Sequence, residues 1–154
     1  MNPYSERLLT VMEATASSWL RSSFDRVVDA QGLVAAVDPV GRQRAVDEAF
    51  DELVGNVREL LSLDAWEQRR NPLDLVRKCT GNLSRELARI GARSVKRDEF
   101  EERSFPGDVF GLCPATWNDV HPDLHDVGLE WGAWKAAAII AHRRSTTESS
   151  GDRS

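Results

Sequence analysis

Ala45, Val46, Ala49, Phe50, Leu53, Val54, Val57, Leu60 and Leu61 recur at steps of three and four residues. That period gathers them on one side of an α-helix, whereas a strand would scatter them over both faces. A helix with so wide an apolar stripe must cover it with other elements. Acids fill the positions between: Asp47, Glu48, Asp51, Glu52 and Glu59. Gly55 interrupts the pattern at a cost of roughly 1 kcal/mol against alanine. Close packing is therefore expected at that point.

Two more helices flank this one. The first is expected from Ser5 to about Gln31, with Leu8, Met12, Ala16, Trp19, Phe24 and Val27 forming its stripe. Ser5 is its expected cap and Gly32 its stop, and Pro39 blocks further continuity. Asp64 and Glu67 have capping-box spacing for a short turn carrying Trp66. Asn71-Pro72 then opens a third helix, with a strong N-cap before a proline at the first helical position. Asp74 lies in its first turn, where the helix dipole favours an acid. Val76, Cys79, Leu83, Leu87 and Ile90 form its apolar stripe, and Gly91 ends it.

From residue 92 to about 126 the periodicity disappears. Pro106, Pro114 and Pro122 break this segment, and Phe100, Phe105, Phe110 and Trp117 give it anchors. A structureless connection of that length is uncommon in a compact domain and is often functional. Arg97, Asp98, Arg103 and Asp108 are its candidate polar edge. A last helix follows from about Val127 to Arg144, with Trp131, Trp134, Ala137, Ile140 and Ala141. The expectation is all-α: a bundle of about four helices with a long, aromatic-rich, mostly irregular strap before the last one. Residues 1–144 form one helical domain on this reading, and the polar stretch 145–154 is a disordered tail.

The chain has 154 residues, enough for a core without staples. Its two cysteines, Cys79 and Cys113, make no CxxC spacing, which excludes a zinc ribbon or a thioredoxin-type motif. Reduced thiols are expected. The opening residues are too polar for a secretory h-region, and no apolar run approaches the ~18 residues of a membrane span. The expected setting is the cytoplasm, with no membrane partner.

Charge is distributed unevenly. Residues 69–97 hold nine bases and two acids, a net +7, while the whole chain carries −5, leaving −12 elsewhere. At about 100° per residue, Arg70, Arg77, Lys78, Arg85 and Arg89 fall within roughly 120° of arc, opposite the apolar stripe. Together with Arg93 and Arg97 they form a candidate face for an acidic partner. An acidic protein is the first choice and nucleic acid the second. No helix-turn-helix, zinc-finger or RNP pattern accompanies them. The alternative is a solvated face balanced by the acids of the second helix, or by Glu99, Glu101 and Glu102.

His121, His125 and Asp126 are the candidate metal ligands, four residues apart for the two histidines. No HExxH and no third ligand at a diagnostic spacing supports them. Cys113 lies near these histidines in sequence, but a Cys-His pair requires adjacency in space. GxSxG, P-loop and GxGxxG patterns are missing. No cofactor and no catalytic residue is therefore assigned.

Asn71-Pro72-Leu73, Arg97-Asp98-Glu99-Phe100, Phe105-Pro106-Gly107-Asp108-Val109, Pro114-Ala115 and Gly128-Leu129-Glu130-Trp131-Gly132-Ala133 resemble conserved hypothetical proteins of actinobacteria. The resemblance covers residues 71–144. It implies a bacterial cytoplasmic setting and brings no activity with it. The leading expectation is a non-enzymatic interaction module. A small metal- or ligand-dependent enzyme near His121 and His125 is the alternative, and a self-associating structural protein is a third.

Overall fold

The computed structural model describes residues 3–62, 72–94 and 108–113, together with Asp123 and Val127. These residues form three α-helices and one short 3-10 turn: α1 (Pro3–Ala30), the turn Val34–Ala36, α2 (Pro39–Ser62) and α3 (Pro72–Arg89). No strand occurs among them. No helix among them is long and apolar enough to cross a membrane.

Helix α2 lies between the other two. It packs most extensively on α3 and next on α1, while α1 and α3 touch less. Its expected stripe is the one that is buried, Phe50 alone remaining partly exposed. Leu8, Met12, Ala16, Leu20, Phe24, Val27 and Val28 contribute from α1. Trp19, expected in that stripe, only packs at its edge, and Leu20 takes the central position.

Helix α1 begins two residues before Ser5, so Ser5 is not its cap but a fully buried residue of its first turn. Its other end is as expected. Gly32 has φ +65°, its N–H donates to Asp29 O, and the Leu33 N–H reaches Val28 O at 2.9 Å. Gly91 closes α3 in the same way, with φ +87° and bonds from Gly91 N–H to Ala88 O and from Ala92 N–H to Leu87 O. Both ends are Schellman motifs, in which glycine accepts the left-handed conformation without a Cβ clash.

Pro39 starts α2 instead of merely interrupting the chain. The Asp38 carboxylate accepts from the Val40 N–H at 3.2 Å, and Asp38 O accepts from Arg42. Asp38-Pro39 is thus the cap-and-proline signature that Asn71-Pro72 also displays. Arg42 pairs with Asp25 at 3.0 Å and Arg58 with Glu13, tying α2 to α1 along its length.

Gly55 does not mark close packing. It is exposed, and nothing lies within 4 Å of the position its Cβ would occupy. Gly55→Ala therefore gains helix propensity without a clash. It is expected to raise stability by about 0.8 kcal/mol in a thermal melt; a loss would mean that the space is filled.

Candidate functional site

Helix α3 separates its residues sharply. Leu75, Val76, Cys79, Leu83 and Leu87 are buried, and Asp74, Lys78, Gly81, Arg85, Ala88 and Arg89 are exposed. The exposed set runs at steps of three and four, so it forms one ridge along the helix. Two small residues, Gly81 and Ala88, alternate with the bases. Nothing lies within 4 Å of a Cβ at Gly81, so the ridge is open there.

Each described base has a definite environment. Arg77 is partly buried and donates to Asp74 at 2.6 Å. Lys78 Nζ stands 3.9 Å from Glu52 of α2, with its side chain 60% exposed. Asn82, nearly buried between α2 and α3, donates to the same Glu52 carboxylate at 2.9 Å and accepts from Arg85. Arg89 donates twice to Glu86, at 2.9 and 2.5 Å, and lies 3.9 Å from Asp38. Arg93 is exposed, and the Gln31 side chain fixes its backbone through two bonds of 2.6 and 2.7 Å. Arg85 and Arg93 have no carboxylate partner among the described residues. Arg70 and Arg97 lie outside the described residues.

The pairs differ in energetic meaning. Exposed pairs such as Lys78–Glu52 contribute about 0–1 kcal/mol, and an incoming acid exchanges them at small cost. Glu86 is different: it is only 6% exposed. The Arg89 guanidinium donates to its carboxylate and so holds its pKa below the ordinary value, against the opposing effect of burial. The same carboxylate fills the space beside Gly41, where an added Cβ would stand 2.5 Å from Glu86 Oε1 and 3.1 Å from Asp38 Oδ2. Gly41 thus leaves room for the Glu86 carboxylate between α2 and α3. Arg89 therefore serves the fold first, which leaves Lys78, Arg85 and Arg93 as the more available bases.

Segment 108–113 meets α3 where Cys113 lies beside Thr80, and α1 where Arg26 donates to Gly111 O at 3.4 Å. Phe110 and Leu112 are buried in the core, Phe110 as an anchor as expected. Asp108 does not present its carboxylate to solvent. It is 6% exposed and accepts from the Leu112 N–H at 2.8 Å and the Cys113 N–H at 2.6 Å, closing the turn. Phe100, Phe105, Trp117 and most of the expected last helix lie outside the described residues. Val127 is described, helical and fully buried.

Both cysteines are free thiols. Cys113 Sγ lies 3.4 Å from Thr80 Oγ1, and Cys79 Sγ donates to Val76 O at 3.0 Å. Burial pushes the Cys113 thiol up to about 11. It pushes Cys79 higher still. Protonated thiols are poor nucleophiles. Folded protein at pH 7.5 is thus expected to react with a disulfide reagent at least about a hundredfold more slowly than unfolded chain, in which both thiols are freed. Prompt reaction of either in the folded state would contradict this placement.

No three His, Cys, Asp or Glu side chains converge as a metal-holding group among the described residues. His121, His125 and Asp126 lie outside them. Comparison of the chain with protein-family models, with curated proteins and with solved structures gives no match.

Proposed function

We propose that this chain is a non-enzymatic interaction module of the bacterial cytoplasm that binds an acidic protein surface through the outer ridge of α3. The observation that carries this reading is that Lys78 and Arg85 stand exposed on the side of α3 away from its buried apolar stripe, with Arg93 exposed just past the Gly91 turn that ends the helix. Complementary charge steers encounter and selects partners more than it adds raw affinity. Exposed lysine and arginine whose partners are weak or neutral are well suited to that. The remaining architecture supports a rigid platform. Asn82, buried and donating to Glu52, ties α3 to α2, and the burial of Phe110, Leu112 and Val127 agrees with a strap and a last helix completing a bundle of about four helices.

An acidic protein is favoured over nucleic acid because no helix-turn-helix, zinc-finger or RNP pattern accompanies the bases. The test is fluorescence anisotropy at low salt with two labelled probes, a glutamate-rich peptide and a duplex DNA of equal charge. Saturable binding of the peptide alone is expected. Tighter binding of the duplex would replace this reading with a nucleic-acid one, and binding of neither would end it.

A further inference from the structure

The outer side of α2 supplies an acidic stretch, Asp47, Glu48 and Asp51, which follows the exposed base Arg44 by one turn. Glu48 and Asp51 are exposed there and have no ion-pair partner among the described residues. Helices α2 and α3 are neighbours, with Glu52 level with Lys78 and Asn82, and Gly41 level with Glu86. The pairs Glu52–Lys78 and Gly41–Glu86 also show that the two helices run in opposite directions. By interpolation, the α2 turn carrying Glu48 and Asp51 stands level with the α3 turn bounded by Lys78 and Arg85.

A two-fold axis parallel to both helices, in the plane of their outer face, exchanges left for right and preserves height. It lays α2 of one copy on α3 of the other. Glu48 and Asp51 of each copy then fall between Lys78 and Arg85 of its neighbour, over the open space above Gly81. The contact is isologous and closes on itself, as two-fold interfaces do. We infer that the acidic partner of the α3 ridge is a second copy of this chain, forming a symmetric dimer through the α2/α3 face. This rests on the reading of that ridge as an acid-binding surface.

Sedimentation velocity on the full chain tests it. At low salt a concentration-dependent dimer is expected, dissociating near 0.5 M salt, where the screening length falls to about 4 Å. Arg85→Glu, and separately the pair Glu48→Arg with Asp51→Arg, should each weaken association at least about tenfold while circular dichroism stays that of the parent. An equimolar mixture of the two variants should regain the dimer, because each then presents to the other the charge it lacks. A species that stays monomeric at low salt and high concentration, or a dimer indifferent to Arg85→Glu, overturns the inference. A monomer that still binds the glutamate-rich peptide overturns the dimer alone and leaves the acid-binding ridge standing.

Discussion

Leu83→Ala is expected to cost about 3 kcal/mol and to lower the thermal midpoint by roughly 6–12 °C. Leu83 is fully buried in the middle of α3, in the same core cluster as Leu20, Phe24, Leu53 and Val57. Removing its branched end takes apolar atoms out of the core and leaves a cavity that helices held at both ends cannot collapse to fill. Arg85→Ala, two residues further along the same helix, should change stability by no more than about 0.5 kcal/mol, because it lies on the exposed ridge. The contrast is the informative part. Equal small effects at both positions, read by thermal melts, would mean that α3 is rotated from the orientation described here.

The largest effect on binding is expected from reversing the two bases that have no carboxylate partner. Arg85→Glu with Arg93→Glu changes the basic surface by four charge units and leaves untouched the intrahelical Glu86–Arg89 pair, whose carboxylate fills the space beside Gly41 of α2. Affinity for a glutamate-rich peptide should fall at least about tenfold at low salt, mainly through a slower encounter. The thermal midpoint should move by no more than about 2 °C, since both side chains are exposed. The parent's affinity should itself decline with added salt, as exposed charges are screened beyond about 10 Å at 0.1 M. Unchanged affinity in a folded double variant would remove the ridge from the binding surface.

The helices and their inner faces could be read from sequence because the 3.6-residue period is local. Ala45, Val46, Leu53 and Leu61 reveal one face without reference to anything outside α2. The same holds for Gly32 and Gly91, whose effect is confined to the last turn of their own helices. Asp38-Pro39 was equally local, yet reading the proline as a barrier hid the start of α2. Ser5 misled for a related reason: a serine near a helix start resembles a cap whether or not the helix begins earlier.

The polar contacts between elements were not legible in this way. Glu52 meets Lys78 and Asn82 across 26 and 30 residues of chain, and Gly41 meets Glu86 across 45. No periodicity encodes which acid on α2 will stand beside which base on α3. In sequence Glu86 is merely one of two acids among the bases of residues 69–97. Only its position facing Gly41 makes it a buried anchor. Asp108 misled in the opposite sense: an acid beside exposed Val109 in a loop looked available, but the turn turns its carboxylate inward onto two backbone N–H groups. The outward placement of Lys78 and Arg85 follows from the helical period, but Arg77 is partly buried, and the availability of each base depends on contacts of this kind.

Amide chemical-shift mapping during titration with the glutamate-rich peptide at low salt tests the acid-binding ridge most directly. The account predicts saturable shifts centred on Lys78, Gly81, Arg85 and Arg93, with the inner face of α3 at Val76 and Leu83 little changed. Shifts centred instead on the exposed Val34 and Val40 beside the start of α2, or no saturable shifts at all, would contradict it.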